Sequence, residues 1–415
     1  MSVRLRIRSG RVRAAELLGA AALSLIATRA LALTIVPTYD SSITSDPQGA
    51  TIQNTINAAI STFNTKISDN ITINITFQEV NDGLGGSSTS YQTVSYATYL
   101  NKIRNFASSV DDAIALNHLP EGPGNPVTGD NSVLLTDALA RALGFISAPQ
   151  TGPELATHRS ISILHGAGQD PATWARSDET IRRSLQVSVE SPNAVEAVDG
   201  TISLNTSIMN VTTGATPADQ YSLTAVVSHE IDEVLGSGSS LNGLDNGAPA
   251  PTGPVFVQDL YRYDLLGHRS FTTDVNAKAY FSIDVADTIL RQNETQPASP
   301  KHADYSDWWS PNADDPHVQD AYCSPGKDPV MGPEWRLLDV LGWSYAPRGV
   351  WVDFNYGGLY FGLYDQPFNT ISAAIANVPV GGLILIKGGG TTSELPNITK
   401  PLTMTTVGGT SQIGQ

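Results

Sequence analysis

The stretch Val226-Val227-Ser228-His229-Glu230-Ile231-Asp232-Glu233-Val234-Leu235-Gly236 constrains this chain most, because its apolar and ionisable residues separate on helical spacing. At about 100° per residue, His229 and Glu233 share a face and Glu230 falls on the next edge. Leu223, Val227, Ile231, Val234 and Leu235 fill the opposite arc, which predicts a helix buried on one side against a core. Asp219 is the expected N-cap and Gly236 the expected C′ residue, giving a helix over about 221–235. One face packs and the other is left for chemistry.

Zinc accepts imidazole nitrogen and carboxylate oxygen, and an open fourth position lets it lower the pKa of a bound water toward neutrality. His229 and Glu233 are therefore candidate metal ligands. Glu230, beside the ion but not on it, is the candidate general base, taking a proton from that water and passing it to a leaving amine. A bare His-Glu-x-x-Glu string also describes a solvated helix face, since surface helices are rich in Glu. The rest of the chain has to decide between the two.

At 415 residues there is length for two or three domains. The first 32 residues belong to none of them. Arg4, Arg6, Arg8, Arg11 and Arg13 form a basic start, Leu17 to Leu31 is mostly small and apolar, and Ala30-Leu31-Ala32 has the small-x-small form of a signal peptidase site. Residues 1–32 are expected to be a cleaved export signal, and Arg29 leaves the apolar run short for a membrane anchor. No later stretch is long and apolar enough to span a bilayer. The whole chain carries a net charge of −16, and without the basic leader it carries −21. Such an acidic secreted protein is a poor partner for nucleic acid or anionic lipid, although its carboxylates suit calcium. Cys323 is the only cysteine, so the fold has no internal disulfide.

Ile52, Ile56, Ile60, Phe63 and Ile67 recur at helical spacing, and Ile71, Ile73, Ile75 and Phe77 then alternate with polar residues as in a half-buried strand. Residues 83–90 read as loop, and Tyr96 to Phe106 and Leu134 to Leu143 as helices. Ile161 to Leu164, Val187 to Val189 and Gly200 to Asn205 are strand candidates. Residues 33–50 have room for a short pro-segment. Residues 237–256 read as loop, and Trp335 to Trp343 closes this part as a helix. The order predicts an α+β domain over 33–346. From Val350 the character changes: short apolar runs before Gly388-Gly389-Gly390 and Gly408-Gly409 recur at roughly twenty residues. Residues 347–415 resemble the cap and first coils of a right-handed parallel β-helix; a short β-rich appendage is the alternative.

Together, the helix, Asp259 to Tyr263, Tyr280 to Asp284, Asp304 to Trp308 and Leu338-Asp339-Val340-Leu341-Gly342-Trp343 make residues 33–345 resemble a group of bacterial secreted zinc metalloproteases of the zincin class, related in pattern to the metzincins. That group has His-Glu-x-x-Glu-x-x-Gly, here His229 to Gly236. The resemblance implies a zincin-like fold acting on protein or peptide, with the strand near Ile202 to Leu204 bordering the cleft and binding peptide by strand addition. A metzincin would place its third ligand at Ser239, a poor zinc ligand. The third ligand is then sought among Asp259, Asp304, Asp307, His268, His302 and His317; Asp259 and Asp307 are preferred for their aromatic-rich blocks. Pro329-Val330-Met331-Gly332-Pro333 resembles the Met-turn beneath the metal, and ordinary loop packing accounts for it equally.

The leading expectation is an exported zinc peptidase, with one catalytic Zn2+ and Ca2+ as a possible structural ion. The alternative is a non-catalytic extracellular surface or adhesion protein on a zincin-like scaffold, suggested by the absent third histidine and the β-helix-like tail.

Overall fold

The computed structural model describes residues 32–147, 159–165 as backbone, 198–286, 289–293, 304–310, 316–345 and 349–414. The expected export signal through residue 31, the strand at Val187 to Val189, and His302 lie outside the described residues.

The main sheet takes β1 (Thr34–Tyr39), β2 (Thr72–Glu79), β3 (Gly85–Ser95), β4 (Ser132–Thr136), β5 (Arg159–His165) and β6 (Gly200–Leu204). After the short parallel pair β7 (Met209–Asn210) and β8 (Tyr221–Ser222), β9 (Val255–Phe256) completes it. The order is β1-β2-β6-β3-β4-β9, with β5 also on β3. β3 runs against every neighbour it pairs with, whereas the β1–β2, β2–β6 and β4–β9 pairs are parallel. The helices are α1 (Ser41–Thr44), α2 (Gly49–Lys66), α3 (Tyr96–Phe106), α4 (Val110–His118), α5 (Asp137–Ala142), α6 (Leu223–Leu235), α7 (Pro333–Leu341) and α8 (Ile371–Asn377). Helices and strands of mixed direction make this an α+β protein.

Apolar periodicity explains most of these elements. Ile52, Ile56, Ile60 and Phe63 form the buried stripe of α2, and Ile73, Ile75 and Phe77 the buried face of β2. Together with Val227, Ile231 and Val234 of α6 and Leu337 and Leu341 of α7 they belong to one continuous core. α6 lies against α2 and across β3 and β6.

Four expectations are corrected. Residues 85–90, read as loop, are half of β3, because their small side chains let the strand run close beneath α6. Residues 134–136, read as the start of a helix over 134–143, belong instead to β4; Thr136 ends the strand and caps α5, accepting from Leu139 N at 3.3 Å. Residues 34–39 are an integral strand and 41–44 a helix, with Leu33, Ile35 and Ile43 buried, so 33–50 is part of the fold and not a detachable pro-segment. Finally, β6 is hydrogen-bonded on both edges, to β2 and β3, and offers no edge for strand addition.

Past α6, β10 (Arg262–Tyr263), β11 (Ala279–Phe281) and β12 (Arg291–Asn293) form an antiparallel sheet. Single bridges extend it from Asn293 to Trp308 and from Trp308 to Asp320. The tail has β13 (Val350–Val352), β14 (Leu383–Lys387), β15 (Thr391–Thr392), β16 (Thr403–Val407) and β17 (Gln412–Ile413). β13, β14 and β16 pair in parallel, as do β15 and β17.

Candidate metal centre

α6 begins two residues later than expected. Tyr221 and Ser222 are drawn into β8, and Ser222, not Asp219, is the cap, its hydroxyl accepting from Ala225 N at 3.4 Å. The helix ends at Gly236, whose φ of 133° suits glycine and whose N–H reaches the Asp232 and Glu233 carbonyls. Trp343 Nε1 donates to the Leu235 carbonyl at 2.9 Å and ties this end to the segment after α7.

Both faces of α6 are buried, not one. His229 is 5 % exposed, Glu233 1 % and Glu230 0 %: the segments that carry Asp307 and Gln319 lie against His229, and β3 lies against Glu230 and Glu233.

His229 Nδ1 lies 2.8 Å from the Val318 carbonyl, which fixes it as the protonated nitrogen and leaves the Nε2 lone pair for a ligand. Nε2 sits 3.7 Å from Glu233 Oε1 and 3.6 Å from Asp307 Oδ1. Donors about 2.1 Å from a tetrahedral zinc stand about 3.4 Å apart, so the spacing fits one ion. Among the described residues, His229, Glu233 and Asp307 are the one group of His, Cys, Asp and Glu close enough to share a cation. Glu233 Oε2 accepts from Ser87 Oγ of β3 at 2.6 Å, which orients the carboxylate. Glu230 faces Gly85 two residues earlier on that strand.

The other candidates lie elsewhere. Asp259, in a 3-10 turn over Val257–Tyr261, accepts from Ser239 Oγ at 2.6 Å and Ser240 N at 2.8 Å. Burial pushes its pKa up to about 6 against those hydrogen bonds. Asp259 thus fixes the turn after α6 and is not brought to the triad; Ser239, at the metzincin ligand position, is turned toward it. His268 is paired with Asp264 at 3.1 Å on an exposed hairpin. Asp304 accepts from the Ser306 hydroxyl, and the His317 ring packs on Gly332. Met331 is half-buried at the edge of the main core just before α7.

Sequence reasoning missed Ser87 and, with it, Gln319, Glu334 and Asp232. Gln319 Nε2 lies 3.1 Å from His229 Nε2 and 3.0 Å from Asp307 Oδ1. Glu334, at the first turn of α7, accepts from Trp308 Nε1 at 2.9 Å, from Gln319 N at 3.0 Å and from Gly332 N at 2.5 Å. Asp232 is fully buried, neither carboxylate oxygen is hydrogen-bonded among the described residues, and burial with Glu334 and Glu233 nearby pushes it well above the usual carboxylate range. No periodicity marks Gln319 or Glu334, whose roles arise from long-range packing. A cavity borders Glu233, lined by Ser87, Thr89, Thr136, Ser237, Asn242 and Phe256 among others.

Comparison with family models, with curated proteins and with solved structures returned no match for this chain.

Proposed function

We propose that this chain is an exported zinc-dependent peptidase of zincin type, in which His229, Glu233 and Asp307 hold the ion and Glu230 is the general base. The observation that carries the reading is the convergence of His229 Nε2, Glu233 Oε1 and Asp307 Oδ1, with Nδ1 already committed to Val318. Export rests on the composition of residues 1–32, and the β-helix-like reading of the tail on its parallel strands, Leu383 lying beside Thr403 and Thr391 beside Gln412.

When bound, zinc supplies Lewis acidity and lowers the pKa of water at an open position. His229 and the two carboxylates bind the ion and balance its charge. Glu230, one residue from His229, takes a proton at a carboxylate oxygen and returns it to the leaving amine. Gly85 leaves room for that carboxylate, and Ser87 holds Glu233 in its binding orientation. Two anionic ligands reduce the Lewis acidity that neutral ligands would leave, so turnover is slow or specialised.

A second reading, a non-catalytic surface protein that kept the scaffold, is favoured by burial: Glu230 and Asp307 are both 0 % exposed.

Elemental analysis of wild type, Glu233→Ala and Glu230→Gln, with casein hydrolysis on all three, separates the two. The peptidase reading expects one zinc per chain, lost in Glu233→Ala, and hydrolysis lost in Glu230→Gln with zinc retained. A folded, zinc-loaded wild type without hydrolysis of casein or a peptide library supports the scaffold; a metal-free wild type removes the metal site altogether.

A further inference from the structure

The amide of Gln319 stands where the triad converges. Its Nε2 is within hydrogen-bond reach of His229 Nε2 at 3.1 Å and of Asp307 Oδ1 at 3.0 Å, so one N–H group meets the lone pairs a cation would take. The other end of the amide is left over: Gln319 is fully buried and its Oε1 has no hydrogen-bond partner among the described residues. A buried carbonyl oxygen without a donor is costly, and a half-turn about the Cγ–Cδ bond exchanges the two ends of the amide. That rotation moves no backbone atom. Gln319 N is held by Glu334 Oε1 at 3.0 Å and its carbonyl accepts from Trp308 N at 2.8 Å, so the side chain turns on a fixed base.

We propose that Gln319 is the fourth protein ligand of this centre, presenting Oε1 to a divalent cation held by His229, Glu233 and Asp307. The inference rests on the metal-site reading above. A cation repels the amide N–H and attracts the carbonyl oxygen, so loading the site favours the turned amide, which brings Oε1 to the ion. The set becomes one imidazole nitrogen, two carboxylate oxygens and one amide oxygen. The neutral amide is the weakest of these donors, and therefore the one that yields when an incoming group needs a position on the ion.

Co2+ is the probe, because its visible absorption reports the number and type of its donors independently of hydrolysis. Wild type, Gln319→Leu and Gln319→Glu are titrated with Co2+, following absorption, affinity and thermal unfolding. Gln319→Leu is expected to bind on the order of 10–100-fold more weakly and with an altered spectrum. Gln319→Glu, which restores an oxygen donor, is expected to bind at least as tightly as wild type and to gain at least as much thermal stability from Co2+. Wild-type affinity and spectrum in folded Gln319→Leu overturn the proposal. So does loss of binding in folded Gln319→Glu, which would identify the glutamine as an N–H donor that only orients Asp307; this arm decides the matter if Gln319→Leu does not fold. A wild type that takes up no Co2+ overturns the metal site as well, whereas equal binding by wild type and Gln319→Leu sinks only the role of Gln319.

Discussion

Gly85 and Ser87 occupy alternate positions of β3 on the face that meets α6, and each limits a different carboxylate. A Cβ at Gly85 would lie 2.6 Å from both Glu230 Oε1 and Val226 Cγ1. Gly85→Ala must push the strand, the helix or the Glu230 side chain aside. The expected loss is about 1–3 kcal/mol, read by denaturant unfolding, together with a fall in hydrolysis; wild-type stability and activity would show that the contact relaxes without consequence. Ser87 acts on Glu233, donating to Oε2 at 2.6 Å while Oε1 faces His229. Ser87→Ala is expected to weaken zinc binding on the order of 10–100-fold with the fold intact, and a calorimetric affinity equal to wild type would remove Ser87 from the centre. Neither residue draws notice in a Gly- and Ser-rich run. Their importance lies in what packs above them, which is information the local sequence does not hold.

At the scale of elements, the legible parts were those with their own periodicity. α2, α3, β2 and the C-terminal end of α6 follow from apolar spacing and a glycine stop, and His229, Glu230 and Glu233 were readable because they ride on such a helix. Asp307 was readable only as one of several acids, and Asp259 looked as good. What separates them is tertiary: Asp307 precedes Trp308, which bridges to Asn293 and Asp320 and stacks on Phe281 at 5.5 Å, whereas Asp259 is occupied by the turn that follows α6. Glu334 joins the two bridged segments by accepting from Trp308 and Gln319, so the first turn of α7 fixes both covering segments. Glu334→Ala leaves the buried Trp308 Nε1 and Gln319 N without their acceptor. It is expected to destabilise the protein by about 2–5 kcal/mol and to lower zinc affinity, while Glu334→Gln, which keeps one acceptor oxygen, recovers part of both. If thermal unfolding and zinc titration find both variants alike, the carboxylate is not the clamp.

At the scale of the molecule, α4 joins the tail to the body that carries the candidate metal centre. Trp351 packs with Ala113 and Leu385, and its Nε1 donates to the Ala107 carbonyl at 2.8 Å. The other side of α4 meets α7 through an acidic joint. Ser109 Oγ donates to Asp339 Oδ2 at 2.5 Å, and Asp112 accepts from Ser108 N at 2.6 Å and Ser109 N at 3.0 Å. Burial pushes Asp112 up to about 7 despite those bonds, and burial with the Asp112 charge nearby pushes Asp339 well above the usual range. An unfolded Asp titrates near 3.9. Between about pH 4 and pH 7 the folded chain therefore keeps a proton on Asp112 that the unfolded chain has released, and rising pH favours unfolding. The penalty is absent below the unfolded pKa and complete above the folded one; Asp339 adds to it in the same direction. Asp112→Asn keeps an oxygen acceptor toward Ser108 and Ser109 and removes the titration. Its melting temperature is expected to fall less steeply than that of wild type between pH 4.5 and 7.5, scanned in steps of half a unit; these are settings of about the width of that window. Parallel curves for the two proteins would mean that the proton is not held on Asp112, and that α4 is coupled to α7 by the Ser109–Asp339 hydrogen bond, the Asp111–Arg336 ion pair and packing, without a pH-dependent part.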